Sequence, residues 1–388
     1  MARMITTLAV VTGLILSLVL PIYPEGLSAD IAAFLVLAVV GGMFGLAQRS
    51  ARYELAIMTP WAAAILLGIL VGSIHNGESQ QAIEDALPYG LFVLGLVAGR
   101  GIGSPRLALR VGLWVCVADS VVSLALMENF EAGMRSTFTY FKITAGLPLV
   151  GLYLAQVLRE TSPRARDGNR WMIHAGIVAV LVAGIVFSVS RGMLLGWLLG
   201  VAVATYVRRP SQALLGVTVV LFGMLAWSSA FEEFGAQYLR LGQEETIAGR
   251  FREVEAAWEG FVASPMLGEG LGALVEVDGF RKAFVHNMAA YHLWKFGLVG
   301  VVLLALPLFA IGRELRRTPR RLRALAFGAA AGVIGYLVTC AAYKTYYLVW
   351  IYGVVIGASL TYFASLRCAP EVGELARAKA APPSPPEP

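Results

Sequence analysis

The feature that most limits how this chain can fold is a series of apolar runs, each about long enough to cross a lipid bilayer. Roughly 20 residues of helix span the ~30 Å of hydrocarbon in a membrane, and we count about twelve such runs. A backbone inside hydrocarbon must satisfy its own hydrogen bonds, so the runs are predicted to be helices. The sequence therefore predicts an all-α polytopic membrane protein with about 12 transmembrane helices. The predicted spans lie at residues 4–22, 29–47, 55–74, 87–98, 107–127, 143–158, 171–188, 193–207, 213–229, 287–311, 322–342 and 346–366.

The composition supports a membrane protein. The mean hydropathy is +0.71, and 14% of the residues are charged, whereas a soluble domain carries about 25%. The first run could pass for a cleavable signal peptide, but another apolar run follows at once, so we interpret it as an uncleaved first helix. Cys116 and Cys340 lie in apolar spans and Cys368 lies in the tail, a distribution that indicates neither a disulfide framework nor a zinc site.

The arginines predict the orientation in the membrane. They are concentrated in alternate loops, and the positive-inside rule places these loops and both termini in the cytoplasm. The net charge of +6 is then a topological signal, and no basic patch interleaved with aromatic residues indicates nucleic-acid binding. The arginine-rich loops contain Arg49 and Arg52; Arg100 and Arg106; Arg159, Arg164, Arg166 and Arg170; Arg208 and Arg209; and Arg313, Arg316, Arg317, Arg320, Arg321 and Arg323.

One long polar interval, at residues 230–285, interrupts the apolar pattern, and the predicted topology places it outside the cytoplasm. It separates transmembrane helices 1–9, at residues 1–229, from helices 10–12, at residues 286–367. A Pro- and Ala-rich cytoplasmic tail, predicted to be disordered, occupies residues 368–388. Residues 77–88 are expected to form one of the shorter external segments. The short cytoplasmic loops carry no nucleotide-binding fingerprint, which argues against ATP-driven transport.

The long loop contains a predicted amphipathic helix. An apolar stripe recurs at helical spacing, and we expect the helix to lie on the outer membrane–water boundary. Arg250 lies at the edge of the stripe, whereas Arg252 is expected to pair with Glu255 or Glu259. The glycines at 268, 270 and 272 are expected to form a flexible turn after the helix. The stripe consists of Ile247, Phe251, Val254, Trp258, Phe261 and Val262.

Several short motifs follow one another in order across residues 185–305. Each is weak alone, but their order, their side of the membrane and the helix count together resemble bacterial O-antigen ligases and O-antigen polymerases. The Lys295 position is one at which such proteins often carry an acidic residue. The motifs are Ser190-Arg191-Gly192, Gly249-Arg250, Trp258, Pro265-Met266-Leu267-Gly268-Glu269-Gly270, His286-Asn287 and Gly297-Leu298-Val299-Gly300.

The resemblance implies a metal-independent glycosyltransferase of the bacterial inner membrane that needs no cofactor. Its donor would be a polyprenyl-pyrophosphate-linked glycan on the outer face of the membrane. A ligase moves the glycan to a hydroxyl of lipid A–core, and a polymerase of the same superfamily moves it to another lipid-linked repeat. The sequence leaves the choice between these acceptors open.

Fixed cations suit such a reaction, because the leaving pyrophosphate develops negative charge. Arginine binds phosphate groups through a planar, bidentate fork. We therefore predict that Arg191 and Arg250 contact the pyrophosphate, with Arg135 and Lys344 contributing from other external turns. The alternative for Arg250 is a pairing with a glutamate or with lipid phosphates.

His286 is the predicted general base, because it is the only histidine of the long loop and an unperturbed pKa near ~6.5 suits proton removal. The alternative is a polar residue that caps the following helix. Asn287, Tyr291 and Lys295 share one face of that helix and are predicted to bind substrate. The alternative for Lys295 is that its side chain simply extends toward the outer membrane interface.

Two further residues remain candidates. Trp258 is predicted to offer a surface on which sugars stack. Asp119 is a carboxylate within an apolar span and hence a functional candidate, although a hydrogen bond to Ser120 or Ser123 is an equally good explanation.

Two other classes of protein are alternatives to this interpretation. A polysaccharide–lipid transporter would fit the number of spans, but it predicts inverted repeats, and no convincing repeat relates the two halves. A structural or partner-binding membrane protein would leave Arg191, Arg250 and His286 without a shared purpose.

Overall fold

The computed structural model describes residues 1–20, 28–48, 55, 57–77, 80–125, 146–162, 168–187, 190–210, 212 and 244–368. For residues 168–170, 187, 191, 244–247, 341, 342 and 368 it describes the backbone alone. The helices are α1 Ala2–Leu16, α2 Ala29–Gly45, α3 Thr59–Asn76, α4 Gln80–Gly101, α5 Pro105–Ala125, α6 Gly146–Glu160, α7 Gly168–Phe187, α8 Arg191–Arg208, α9 Glu244–Ala263, α10 Met288–Leu315, α11 Arg320–Leu337 and α12 Tyr346–Cys368. A hairpin of β1 (Val275–Val277) and β2 (Phe280–Lys282) precedes α10, and a 3₁₀ turn (Ala341–Lys344) precedes α12.

The prediction of an all-α membrane protein is confirmed for the described residues, apart from the short hairpin. Each predicted span coincides with a helix except residues 213–229, which lie outside the described residues. Within the described part of the chain, five helices are long and apolar enough to cross a bilayer, namely α3, α4, α5, α10 and α12. The total of about 12 spans stays a prediction.

The expected external segment at residues 77–88 is helical for most of its length, and its position outside the cytoplasm stays a prediction. Gly77 ends α3 with a φ of 73°, and α4 already begins at Gln80 and continues through Pro88. The polar residues that suggested a loop therefore form the first turns of a helix. One of them, Asp85, is buried inside the protein.

Glycines bring two pairs of helices into close contact. A Cβ on Gly99 of α4 would meet the carbonyl oxygen of Val354 in α12, and one on Gly357 would meet that of Leu96. In α8, a Cβ on Gly196 would lie 2.5 Å from the carbonyl oxygen of Gly332 in α11. Small residues of this kind let helix backbones approach in membranes, where apolar burial from water is not a driving force.

The sequence suggested a flexible turn at the glycines after α9, but Gly268 and Gly270 are held tightly against α10. Gly268 has a φ of 69° and is packed against Gly297, where a φ of 58° interrupts α10. A Cβ on Gly268 would lie 2.6 Å from the Gly297 nitrogen, so the contact requires glycine on both sides. Four backbone hydrogen bonds of 2.9–3.0 Å cross the contact: Glu269 N to Trp294 O, Gly270 N to Lys295 O, Leu298 N to Pro265 O and Val299 N to Met266 O.

Candidate functional site

The polar motifs lie at one end of the helical bundle. Gly192 at the start of α8 packs against Thr339, just after α11, because a Cβ on this glycine would overlap the threonine hydroxyl. The Tyr343 hydroxyl in the 3₁₀ turn donates a 2.5 Å hydrogen bond to the carbonyl oxygen of Val285, next to His286. The starts of α8 and α10 therefore both meet the segment that leads into α12.

His286 is held by a glutamate that the sequence analysis did not single out. The carboxylate oxygen Oε2 of Glu253 lies 2.8 Å from His286 Nδ1 and also accepts the His286 backbone N–H at 3.0 Å. An ionised carboxylate can only accept, so Nδ1 carries the proton and donates it. The other ring nitrogen, Nε2, is then in the form that can accept a proton.

Glu253 is ionised over the whole physiological range. Burial raises the pKa of its carboxyl, but hydrogen bonds from His286 and Lys282 outweigh this effect and lower the pKa to about 2. Lys282 Nζ lies 2.9 Å from the second carboxylate oxygen, Oε1. The glutamate thus ties β2 and the start of α10 to α9, with only 4% of its surface exposed.

A second charged cluster, which we call the Asp85 cluster, consists of Asp85, Lys295 and Lys344. Asp85 Oδ2 lies 2.8 Å from Lys295 Nζ, and Oδ1 lies 2.5 Å from Lys344 Nζ. The aspartate also accepts the backbone N–H of Gly272 at 2.9 Å. Lys295 additionally donates to the carbonyl oxygen of Ala273 and is completely buried. One carboxylate faces two ammonium groups, so these three side chains carry a net charge of +1, which the Glu269 carboxylate near Lys295 partly offsets.

The Asp85 cluster lies next to the His286–Glu253 pair. Lys344 Nζ is 5.8 Å from the centre of the Phe284 ring and 5.7 Å from that of Tyr291. The Phe284 ring lies in turn 5.5 Å from the His286 ring. Lys344 is the more accessible lysine, with 17% of its side chain exposed, so it is the cation of the cluster that can reach a ligand.

The helix face of Asn287, Tyr291 and Lys295 points mainly into the protein. Asn287 caps α10, its Oδ1 accepting the N–H of Ala290 at 2.9 Å, so the capping role considered for His286 belongs to its neighbour. Tyr291 is buried and its ring lies 4.8 Å from that of Tyr343. The interfacial position considered for Lys295 is wrong, because Asp85 holds its ammonium group in the interior.

His292, which showed no pattern in the sequence, is a partly buried structural residue. Its Nδ1 donates to the carbonyl oxygen of Met288 at 2.6 Å, and its Nε2 accepts from the Tyr89 hydroxyl at 2.9 Å. The ring thereby connects α10 to α4 beside the Asp85 cluster. Asp119 is also buried, in α5, while the Ser120 hydroxyl donates to the carbonyl oxygen of Cys116.

Helix α9 packs against the protein through a face other than its apolar stripe. Glu253, Ala257 and Gly260 are buried, and a Cβ on Gly260 would lie 2.7 Å from the Trp294 ring. Phe251 and Trp258 point outward, the latter 53% exposed. Such an outward apolar face is compatible with the predicted position at the membrane boundary.

The cations of α8 and α9 have unequal surroundings. Arg250 is half-buried and lies one helical turn before Glu253, which places the two side chains on neighbouring positions of α9. The expected partner of Arg252 is wrong: this arginine pairs with Asp278 of the hairpin at 2.9 Å, because the hairpin folds back along the helix. Arg191 begins α8, immediately before Gly192, and Arg135 lies outside the described residues.

Asp85 and Glu253 are the functional candidates that sequence reasoning missed. Asp85 resembled one of several loop acids, and its two lysine partners lie 210 and 259 residues further along the chain. Glu253 did carry a signal, since it shares a helix face with Ala257 and Gly260, and small residues indicate close packing.

No protein-family model matches the sequence, and a comparison with curated proteins gives no match.

Proposed function

We propose that this protein is an O-antigen ligase-like glycosyltransferase, which moves a glycan from a polyprenyl-pyrophosphate donor to an acceptor hydroxyl. The observation that carries the proposal is the contact of 2.8 Å between His286 Nδ1 and Glu253, next to the positive Asp85 cluster. A base held by a carboxylate beside fixed cations is the combination that transfer from a pyrophosphate requires. The order of motifs in the sequence points to the same reaction.

In the proposed step, His286 Nε2 accepts the proton of the acceptor hydroxyl as the hydroxyl oxygen attacks the anomeric carbon of the donor glycan. The bond between this carbon and the phosphate oxygen breaks, and the electron pair leaves with the polyprenyl pyrophosphate. Glu253 holds the imidazole in the tautomer with a proton on Nδ1 and stabilises the imidazolium that forms.

We assign the leaving pyrophosphate to Arg250, Arg191 and Lys344. Arg250 lies on α9, one turn before Glu253, and Arg191 is the first residue of α8. Lys344 contributes the uncompensated charge of the Asp85 cluster, while buried Lys295 keeps Asp85 in place. Fixed cations stabilise developing charge most effectively in a low-dielectric site, and Tyr291 and Tyr343 beside this cluster are buried.

We expect the exchange of Arg250 for alanine or for lysine to abolish most of the transfer. A lysine ammonium is a point charge and lacks the planar fork that holds two phosphate oxygens. The purified protein is assayed with lipid-linked donor and lipid A–core acceptor in EDTA, and donor affinity and rate are both measured. Both should fall, because the arginine acts on the bound donor and on the leaving group.

Arg252→Ala is the matched control on the same helix. Its pair with Asp278 is half-exposed on both sides, and such a pair contributes only about 0–1 kcal/mol. This variant should transfer at nearly the normal rate. Normal turnover of Arg250→Ala, or activity that Mg²⁺ restores after EDTA, would contradict the arginine assignment. A second lipid-linked repeat, offered as acceptor in the same assay, distinguishes a polymerase from a ligase.

The proposal also requires the site to lie on the outer face of the membrane. A reporter fused after residue 165 or 320 should therefore be cytoplasmic, and one inserted near Gly242 should be external. The expectation follows from the arginine-rich loops and the positive-inside rule. A cytoplasmic reporter at Gly242 would place the site on the wrong side for a lipid-linked donor and would end the proposal.

A further inference from the structure

A cavity of about 500 Å³ lies at the opposite end of the bundle from His286. Helix α4 connects the two ends: Asp85 lies near its start and Arg100 near its end, about 22 Å apart at 1.5 Å per residue. The cavity is formed by the start of α1, the end of α2, the turn between α4 and α5, and the end of α12. Nothing in the proposed transfer reaction uses it.

The cavity is lined by three arginines, Arg3, Arg100 and Arg106, and none of the described residues that line it is acidic. Arg100 is already engaged, because both oxygens of Glu314 accept from it at 2.9 and 3.0 Å. Arg3, by contrast, donates from Nε to the neutral amide of Gln48.

Arg106 adds a second uncompensated charge. Its Nε is buried, and the described residues offer it no hydrogen-bond partner. An unsatisfied buried donor of a charged group is costly, so this arginine is suited to an anion that enters the cavity. Arg106 also lies in the first turn of α5, a helix of 21 residues, where the free N–H groups and the helix dipole favour negative charge.

The surroundings of these arginines favour a lipid as the source of the anion. Met4 and Leu8 follow Arg3 on α1, and Leu107 follows Arg106 on α5. All three are large apolar side chains and are exposed, Met4 by 70%. If a lipid phosphate occupied the cavity, its acyl chains could therefore lie along this apolar surface. Basic pockets between membrane helices on the cytoplasmic side bind anionic headgroups in this way.

We propose that this cavity binds the phosphate group of an anionic phospholipid. Arg3 and Arg106 contact the phosphate, and the acyl chains lie along the apolar side chains of α1 and α5. The site is separate from the transfer site, so it can be tested whether or not the transfer reaction is confirmed.

The test compares the wild-type protein with an Arg3→Gln/Arg106→Gln double variant. Native mass spectrometry of each protein, titrated in detergent with phosphatidylglycerol or phosphatidylcholine, measures how much lipid is retained. The wild-type protein should retain phosphatidylglycerol preferentially, and the double variant should bind it about tenfold more weakly or worse, because two cations at the phosphate are lost. Equal retention by the two proteins would overturn the proposal.

An Arg316→Gln/Arg317→Gln variant removes the same charge from exposed positions outside the cavity and should retain the lipid normally. A loss of lipid as large as in the double variant would mean that net charge, and not the cavity, is responsible. If the double variant is unfolded in detergent, Arg3→Gln alone is used, since Arg3 lies at the exposed end of the cavity. The bound phosphate could belong to a lipid or to a soluble compound, and thermal melting with phosphatidylglycerol or with glycerol phosphate distinguishes them. Stabilisation by phosphatidylglycerol alone identifies a lipid site. Equal stabilisation by the two compounds identifies a site for soluble phosphate and contradicts the proposal.

Discussion

Replacing His286 with alanine is expected to lower the rate of glycan transfer by about 10²–10⁴-fold, while the donor still binds. The variant loses the base, but it keeps the cations that hold the pyrophosphate. The measurement is single-turnover transfer from the lipid-linked donor, together with donor affinity. His75→Ala is the control, because His75 is exposed and ends α3. Near-normal transfer by His286→Ala at normal membrane abundance would leave the base unassigned.

Replacing Glu253 tests the assignment of His286 as the general base, because the expected result differs from that for a histidine with only a structural role. A Glu253→Gln variant keeps a hydrogen-bond acceptor for Nδ1–H but loses the charge that stabilises the imidazolium. Its transfer rate should lie between that of the wild type and that of His286→Ala, and the acid limb of its pH–rate profile should move to lower pH. An unchanged profile would mean that His286 does not titrate in the reaction.

The lowered pKa of Glu253 determines how this carboxylate makes the stability of the fold depend on pH. The folded-state value of about 2 lies below the ordinary value of 4.5. The contact therefore stabilises the fold above pH 4.5, and this contribution is lost as the pH falls from 4.5 toward 2. Between pH 5 and 9 the carboxylate stays ionised, so a change of activity in this window does not arise from Glu253.

The sequence predicted the helices well, because long apolar runs report directly on membrane spans. It did not predict which face of α9 meets the protein. The bulky stripe with Phe251 and Trp258 predicted only the face turned toward the membrane boundary, and the small residues Ala257 and Gly260 form the face packed on the protein. In a bilayer, bulky apolar side chains lose nothing by facing lipid, and close packing selects small ones.

The candidate site could be predicted only where residues are close in sequence. A helix cap was expected at His286, and the structure places it one residue on, at Asn287, which had been assigned to the substrate. The partner of Lys295 could not be found in this way. A lysine in an apolar helix needs a counter-charge, but nothing local indicates that a carboxylate 210 residues away supplies it.

Removing Asp85 is expected to have the largest effect on stability. An Asp85→Asn variant leaves two ammonium groups facing a neutral amide in the interior, and breaking a buried pair in this way costs about 3–5 kcal/mol. Lys295→Met should cost less, because Asp85 keeps Lys344 at 2.5 Å and this remaining pair is neutral. The free energy of unfolding is measured in detergent for each variant and for the double variant Asp85→Asn/Lys295→Met.

The double variant should be more stable than Asp85→Asn alone, because it no longer buries the Lys295 charge without a partner. Glu84→Gln provides the control, since Glu84 is the exposed neighbour of Asp85 and its side chain accepts a hydrogen bond from Gln80; its loss should change stability by less than about 0.5 kcal/mol. If Asp85→Asn were no less stable than Lys295→Met, the aspartate would not be balancing two lysines. The surplus charge assigned to Lys344 would then have no basis, because that charge exists only if one carboxylate is shared by both ammonium groups.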